Sequence, residues 1–393
     1  MSNNCNKRPG AIITGGDHQG LGVFRSLAKR NIPIILLDND HCIGRFSRYK
    51  KLFFYSPPPS EHEAYFDFLI QLSKKENLKN WVIFPNSDEI AYILSKNKAI
   101  LNQYYKIPTP DWEVVKYIYV KKNTYQLAQK NGIPIPKTFF PIDLNELLSL
   151  DINYPVVLKP SIRDHFYNKI KIKAFKANNK TEVQDSYLKL TQYIPPEEVL
   201  VQEFIPGGPN QLYSFCPFFK NGKALFGISA RRARQHPMDF GHASTFAEIV
   251  DIPILKQISE KFLNLINYYG LAEVEFMLDP SDNQFKLIEI NPRIWGWHTL
   301  AIAAGVDLPY IQFLDMTNQA LMSQPTVRPM KWVRLITDVP TVAIGLLNGR
   351  IKLKEYIQSM KGEKEFAVFS IKDPLPSFVE IALIPYLWKK RGF

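Results

Sequence analysis

Cysteine is scarce in this chain of 393 residues, which contains Cys5, Cys42 and Cys216. An odd number of cysteines, far apart in the sequence, argues against a disulfide framework and against a cysteine-rich metal site. The same usage is typical of proteins kept in a reducing compartment. We therefore expect a cytoplasmic protein.

Long apolar runs are also missing. No stretch of about 18 consecutive apolar residues occurs, so no membrane-spanning helix is expected. The first nine residues lack the apolar core of a secretory signal peptide. Apolar residues make up 46% of the chain and charged residues 22%, which is typical of a globular protein with a large buried core.

Acidic residues are fewer than basic ones, 37 against 49, which gives a formal net charge of +12. Such a balance could attract nucleic acid, anionic lipid or phosphorylated ligands. The basic residues are scattered along the sequence, however, and no nucleic-acid-binding motif is present. General lysine usage is the simpler explanation, and we expect no nucleic-acid partner.

The first 40 residues predict a βαβ unit with a parallel sheet. A strand at residues 11–14 precedes a glycine-rich turn, a helix at 23–30 and a second strand at 32–37. The turn contains Gly16, Gly20 and Gly22, an order that differs from the dinucleotide-binding fingerprint. It could hold a nucleotide or an acidic substrate, but the sequence favours glycines that only shape the turn.

Residues 271–293 predict a β-hairpin with a polar turn at 279–283. Because strand side chains alternate between two faces, a hairpin that pivots about Asp282 has one polar face. This face carries Glu273, Glu275, Glu289 and Asn291. The opposite face, suited to burial, carries Val274, Phe276, Leu278, Ile288 and Ile290.

The polar face of this hairpin predicts a metal site. Glu275 lies opposite Glu289 in the expected register, and carboxylates about 5 Å apart repel each other. A magnesium ion between them would remove the repulsion, since it takes oxygen ligands. The alternative is a surface hairpin whose acids face water.

Two further features indicate anion binding. Lys159 ends an apolar strand at residues 154–159, where a buried ammonium is costly unless it meets an anion. A basic run of Arg231, Arg232 and Arg234 comes before a loop that contains Gly241. The alternative for this run is a row of solvated arginines.

In the order of these features, residues 10–320 resemble the ATP-grasp superfamily, and within it the carboxylate–amine ligases. The resemblance implies an α/β and α+β protein, in which a Rossmann-like N-terminal domain precedes an ATP-grasp fold of two α+β subdomains. The expected boundaries are 1–110 for the N-terminal domain, 111–195 for the small subdomain, 196–325 for the large subdomain and 326–393 for a C-terminal extension.

The resemblance also implies a set of site residues. The first phosphate lysine is Lys121, with Lys122 as the alternative, and the second is Lys159. Metal binding is implied for Glu275, Glu289 and Asn291, whereas Glu273 has no assigned role. The adenine-binding hinge and the turn beyond it comprise Gln202, Glu203, Phe204, Ile205, Gly207 and Asn210. Catalytic positions are implied for Arg231, Arg234 and Arg293, and Trp295, Trp297 and His298 could line the amine pocket.

The activity that this resemblance implies is ATP-dependent joining of a carboxylate to an amine through an acyl phosphate, with ATP and Mg²⁺ (or Mn²⁺) as cofactors. The alternatives are an ATP-binding regulatory or scaffold protein, and a carboxylase or phosphotransferase with the same ATP site. A loop such as 237–244 would close over the site. The partners would be small carboxylate and amine substrates, and a homodimer is an open alternative.

Residues 376–393 mix apolar side chains with a basic end, which permits an interfacial membrane contact. The sequence favours docking of this tail on the protein's own surface or on a second subunit.

Overall fold

The computed structural model describes residues 9–49, 51–238, 241 and 243–386. The predicted closing loop and the tail therefore lie partly outside the described residues. Within the described residues, no helix is long and apolar enough to cross a membrane.

The N-terminal region forms a parallel sheet with strand order β3-β2-β1-β4-β5. Its elements are β1 (Ala11–Thr14), α1 (His18–Ala28), β2 (Ile34–Asp38), β3 (Leu52–Tyr55), α2 (His62–Glu76), β4 (Trp81–Phe84), α3 (Asp88–Lys96), α4 (Lys98–Leu101) and β5 (Tyr105–Lys106). This confirms the predicted Rossmann-like start. The helix begins earlier than predicted, so that Gly20 and Gly22 lie within α1. A Cβ on Gly22 would come within 2.7 Å of the His298 ring, so this glycine allows close packing of a later segment.

The second sheet is antiparallel, with strand order β6-β9-β7-β8. Its elements are β6 (Thr138–Phe139), α7 (Leu144–Ser149), β7 (Val156–Pro160), α8 (Arg163–Ile170), β8 (Phe175–Ala177), α9 (Lys180–Thr191) and β9 (Val199–Glu203). Because β9 pairs with β7, the predicted boundary at 195/196 separates a strand from its own sheet. Helices α5 (Trp112–Tyr119) and α6 (Lys121–Lys130) come before this sheet, and their buried residues join the core of the third sheet.

The third sheet has the strand order β15-β14-β10-β11-β12-β16-β17, with β13 also paired to β10. Its elements up to residue 316 are β10 (Leu212–Lys220), β11 (Lys223–His236), β12 (Ala243–Val250), α10 (Pro253–Leu265), β13 (Gly270–Leu271), β14 (Glu273–Asp279), β15 (Gln284–Asn291), α11 (Thr299–Ala303) and α12 (Leu308–Met316). The segment after 325 adds β16 (Lys331–Val333), α13 (Leu335–Leu347), α14 (Leu353–Ser359), β17 (Lys364–Phe366) and α15 (Leu375–Ala382).

The predicted C-terminal extension is thus an integral part of the third sheet, since β16 pairs with β12. It also contacts the N-terminal region, where Arg25 binds the buried Asp373 at 2.9 Å. The sequence does not show these elements because the strands are only three residues long and α13 contains Pro340.

Candidate functional site

A cleft of about 860 Å³ lies between the second and third sheets and reaches the N-terminal region. Strands β7 and β9 line one wall, and β14 and β15 line the other. The start of α3 adds Asp88 at one end of the cleft. All three parts of the fold therefore contribute side chains to one site.

The β14–β15 hairpin has the predicted register near its polar end, with Glu273 opposite Asn291 and Glu275 opposite Glu289. The register then shifts, so that Phe276 pairs with Leu287. A β-bulge of this kind turns the following side chains to the other face. As a result, Leu287 is buried and Ile288 lines the cleft, contrary to the prediction for Ile288.

The acids of the hairpin form a compact cluster. The Asn291 amide nitrogen donates to Glu275 at 2.8 Å and to Glu273 at 3.1 Å. Burial and the adjacent Glu275 raise the pKa of Glu273 to about 8. At neutral pH Glu273 therefore carries a proton for much of the time, which limits the repulsion within the cluster.

Arg232 lies against these acids from β11. One terminal nitrogen donates to Glu275, and the other lies 3.8 Å from Glu273. Burial acts to lower the pKa of Arg232, but Glu275 and Glu273 outweigh burial and raise it. The Nε of Arg232 is buried without a hydrogen-bond partner among the described residues, so it remains able to donate to a ligand.

Arg231 and Arg234, predicted as catalytic, lie outside the lining of the cleft as the structure describes it. Arg231 pairs with Glu248 of β12. The β11–β12 register shifts between Arg231 and Arg234, so that Arg234 turns away from the face that carries Arg232. Arg234 instead makes two hydrogen bonds to Asp338, at 2.8 and 2.9 Å.

Lys121 begins helix α6 and pairs with Glu289 in the cleft. Burial would raise the pKa of Glu289, but the Lys121 ammonium outweighs burial and holds this pKa below its usual range. The alternative residue, Lys122, reaches the Glu197 carbonyl at 3.3 Å in an exposed position. Of the two lysines, the structure brings only Lys121 to the lining that it describes.

Lys159 lies in the same cleft but bonds only neutral groups among its recorded hydrogen bonds. Its ammonium donates to the Tyr125 hydroxyl and to the Gln202 side-chain oxygen, each at 2.7 Å. Burial and the nearby Lys121 charge lower the pKa of Lys159 to about 7. Gln202 is fixed by Thr138, to which its amide donates at 2.7 Å. Gln202 therefore positions Lys159.

The predicted hinge lies at the edge of the cleft, where Glu203, Phe204 and Ile205 all line it. The Lys176 ammonium lies 4.1 Å from the centre of the Phe204 ring. Gly207 and Asn210 follow the hinge and are exposed, outside the described lining. The structure thus brings the hinge to the cleft but not these two residues.

Arg293 lies at the N-terminal end of the cleft. Its guanidinium holds the Asp88 carboxylate through two hydrogen bonds, at 2.8 and 3.1 Å, and reaches the Asn291 oxygen at 3.2 Å. Gln19 of α1 donates to the carbonyls of Asn86 and Ile294, which joins the N-terminal region to the same segment. Arg293 is thereby fixed beside the acid cluster.

Of the three residues predicted for the amine pocket, Trp297 lines the cleft, whereas Trp295 and His298 are buried behind it. The His298 Nδ1 lies 2.9 Å from the Trp295 carbonyl. Burial lowers the pKa of His298 to about 4, so the ring is neutral. Packing buries these two side chains, and the Trp295 Nε1 and the His298 Nε2 have no hydrogen-bond partner among the described residues.

Sequence analysis missed the cations of the segment that follows β7. Arg163 and Lys173 line the cleft, and the Lys173 ammonium donates to the Gly241 carbonyl across it. Burial and the Arg163 charge lower the pKa of Lys173 to about 7. The basic composition of residues 163–176 was the available signal, and only the structure shows that the segment covers the cleft.

Comparison with known proteins identifies the fold. The model of the family described as carbamoyl-phosphate synthase L chain, ATP binding domain, matches residues 244–321. The biotin carboxylase domain of 2-oxoglutarate carboxylase from Hydrogenobacter thermophilus, solved with MgADP and bicarbonate, superposes with a TM-score of 0.64. It is 16% identical, over 81% of this chain and 72% of that one. This chain has the ATP-grasp fold.

Two further relatives are ligases by name. L-amino acid ligase from Bacillus licheniformis has a TM-score of 0.59 and 14% identity, over 82% of this chain and 78% of its own. D-aspartate ligase from Enterococcus faecium (strain Aus0004) is 24% identical over 249 residues. That match covers 58% of this chain and 58% of the ligase, so the chain spans somewhat more than half of that relative. The predicted fold class and the resemblance to the ATP-grasp superfamily are confirmed.

Proposed function

We propose that this protein is an ATP-dependent carboxylate–amine ligase. The observation that carries the proposal is the convergence of an amide with two of the acids and four of the cations that line one cleft between two sheets. The acids and amide are Glu275, Glu289 and Asn291, and the cations are Lys121, Lys159, Arg232 and Arg293. A module that only binds a partner has no need of this combination. The names of the two ligase relatives support the same activity.

ATP would lie with its base at the hinge and its phosphates toward the acid cluster. The apolar side chains of Ile205, Met277 and Ile288 line the hinge end. Lys159, whose ammonium bonds only neutral groups in its recorded contacts, gains a charged partner when a phosphate enters. Charge-assisted hydrogen bonds of this kind are about twice as strong as neutral ones.

Glu275, Glu289 and Asn291 would hold Mg²⁺ or Mn²⁺. The donor set fits, because oxygen ligands from adjacent strands suit these ions and leave room for phosphate oxygens. Lys121 and Arg232 balance the two carboxylates in the structure. The Asn291 amide nitrogen donates to the acids and its oxygen accepts from Arg293, so the side chain would have to rotate away from Arg293 to present this oxygen to the ion. When bound, the ion neutralises charge on the phosphates.

The first half-reaction needs charge neutralisation rather than covalent work by the protein. A substrate carboxylate oxygen attacks the γ-phosphorus, and the bond from this phosphorus to the β-phosphate oxygen breaks. The products are an acyl phosphate and ADP. Arg232 and Arg293 face this region with planar guanidinium groups, which suit carboxylate and phosphate oxygens. The resemblance gave this role to the basic segment of Arg231, Arg232, Arg234 and His236. Within this segment we propose Arg232 for it, in place of Arg231 and Arg234.

The second half-reaction joins the amine. Its nitrogen attacks the acyl carbon, phosphate leaves, and the nitrogen loses a proton as the amide forms. Water must be kept out, because it would hydrolyse the acyl phosphate. Residues 163–176 support this step, since Lys173 already spans the cleft to Gly241. Trp297, near Arg293, would line the amine side.

The test is ADP release by purified protein with Mg-ATP and a panel of carboxylates, with hydroxylamine present. We expect one carboxylate, for which amino acids such as D-aspartate are the first candidates, to stimulate ADP release and to form a hydroxamate. A dependence on bicarbonate alone would favour a carboxylase. If no acid stimulates ADP release while Mg-ATP still binds, the regulatory alternative replaces the ligase. Small-molecule substrates and a homodimer stay predictions.

A further inference from the structure

Helix α13 reverses the usual arrangement of a surface helix. Its buried side faces the protein with polar residues, among them Asp338 and Thr341. Its outward side is apolar along the whole helix, at Leu335, Val339, Ile344 and Leu347, and Leu347 is 87% exposed. A surface helix normally has its apolar stripe toward the core and its polar residues toward water.

Helix α15 also has an apolar outward side. Glu380 is buried and receives a hydrogen bond from Arg334 at 2.9 Å. Leu375, Phe378 and Ile381 face outward, and Phe378 is 65% exposed. On the inner side of α15, Val379 and Leu383 pack on the core, and the rest of the predicted tail, residues 387–393, lies outside the described residues. The outer side remains apolar.

A buried ion pair joins the start of α13 to α15. Arg334 directly precedes α13, and its ion pair with Glu380 joins it to the middle of α15. Leu335 and Ile381 are the chain neighbours of this pair, and both are exposed. The turn before α15 adds Ile371, which is 85% exposed. Several large apolar side chains exposed on two joined helices indicate a binding surface.

The charged residues of the same segment are mostly basic. Between residues 335 and 386 the exposed acids are Glu355 and Glu363, as far as the structure describes the chain. Arg350 is exposed but lines the cleft, so the exposed cations left to this surface are Lys352, Lys354, Lys361 and Lys372. In the sequence, Trp388 and the basic run 389–391 follow. Apolar side chains flanked by cations are complementary to an anionic lipid surface.

We propose that residues 335–386 form a peripheral binding surface for anionic lipid bilayers. A second copy of the chain is a poorer fit, because a two-fold interface brings the same patch together with itself. That contact would place the cations of one copy near those of the other, with few exposed acids to balance them. A bilayer offers an apolar layer and anionic headgroups together. The proposal is independent of the ligase activity.

The test is cosedimentation of the full chain with phosphatidylcholine vesicles, with and without phosphatidylglycerol. We expect binding to the anionic vesicles that weakens as salt is raised. The variant Leu347→Asn/Ile371→Asn/Phe378→Asn should lower the partition coefficient by about tenfold or more, because it removes three apolar contacts. The variant Lys354→Glu/Lys361→Glu/Lys372→Glu should abolish the preference for anionic lipid.

A matched control changes three exposed apolar residues elsewhere, in the variant Ile142→Asn/Leu188→Asn/Leu265→Asn. It should bind vesicles as the original protein does, and thermal unfolding of all variants should show that the fold is kept. Failure of the original protein to bind anionic vesicles would overturn the proposal. A loss of vesicle binding in the control as large as in the Leu347→Asn/Ile371→Asn/Phe378→Asn variant would also overturn it. A dimer in light scattering that the first variant dissociates, without vesicle binding, would assign the surface to a second copy instead.

Discussion

Arg232 and Arg234 lie two residues apart on β11 and both are ion-paired, but Arg234 is buried whereas Arg232 is partly exposed to the cleft. Arg234 has every side-chain nitrogen in a hydrogen bond, to Asp338 and to the Ser359 hydroxyl at 2.8 Å. Asp338 in turn accepts from Thr245. Arg232 faces two carboxyl groups, Glu273 and Glu275, and keeps its Nε unpartnered among the described residues.

The difference separates a structural arginine from a site arginine. Arg234 has one carboxylate partner for its one charge, and all its side-chain nitrogens already donate hydrogen bonds. It therefore has no unpartnered nitrogen left for a ligand. Around Arg232 the acids outnumber the arginine, and Glu273 is protonated for much of the time because burial and Glu275 raise its pKa to about 8. Such incomplete balance in a cleft is typical of binding and catalytic sites.

The largest effect is expected for Arg234→Met. This change leaves Asp338 buried without its cation, and breaking a buried ion pair costs about 3–5 kcal/mol of unfolding free energy. Denaturant unfolding measures the loss. The double variant Arg234→Met/Asp338→Leu should regain much of it, since removing both partners can be nearly neutral. A stable Arg234→Met protein that has lost only turnover would return Arg234 to the catalytic role that the resemblance implied.

Arg232→Met should have the opposite profile. Loss of one preorganised cation that stabilises transition-state charge costs about 10²–10³ in kcat. The stability loss should be smaller than for Arg234→Met, because Glu273 can take up a proton and the cleft admits water. Acid-dependent ADP release and denaturant unfolding, measured on both variants, test this contrast. Arg232→Lys, which keeps the charge but loses the planar donor pair, should regain only part of the activity. Turnover that survives Arg232→Met would contradict the assignment.

Lys121 and Lys159, which both line the cleft, repeat this contrast on a smaller scale. Lys121 has the carboxylate partner Glu289, whereas burial and the Lys121 charge lower the pKa of Lys159 to about 7. An unfolded lysine has a pKa of about 10.4. The folded state therefore binds fewer protons between these values, and its unfolding free energy rises with pH across that window. Lys159 therefore lowers the unfolding free energy, and this destabilising contribution reaches its full size below pH 7.

Lys159→Met removes this contribution. We expect the variant to gain unfolding free energy relative to the original protein at pH 6, with less gain at pH 9. Phosphate binding should weaken by about 1.5–3 kcal/mol, because a charge-assisted hydrogen bond is lost. Denaturant titrations at both pH values and calorimetry with Mg-ATP provide the measurements. Lys122→Met is the control. It should change neither the pH dependence of the unfolding free energy nor the affinity for Mg-ATP, since Lys122 lies outside the described cleft lining.

The sequence predicts the fold class, the hairpin register at Glu275 and Glu289, and the lysines at the cleft, because each depends on local alternation or on an ordered set of motifs. It fails where bulges change the facing of a side chain, as at Ile288 and Arg234. It also overstates the repulsion between Glu275 and Glu289. Lys121 and Arg232 come from distant elements to balance these acids, and no local pattern shows that.

The smallest effect is expected for Arg231→Gln. Arg231 pairs with Glu248, but more than a third of its side chain is exposed to solvent. Ion pairs in such positions contribute about 0.2–1 kcal/mol, because water and salt screen them and ordering both side chains costs entropy. Arg231 also faces away from the side of β11 that carries Arg232. We therefore expect a change in unfolding free energy within that range, reduced further at high salt, and nearly unchanged kcat. A loss of turnover as large as that of Arg232→Met would show that Arg231 reaches the substrate, and the contrast between the arginines of β11 would no longer hold.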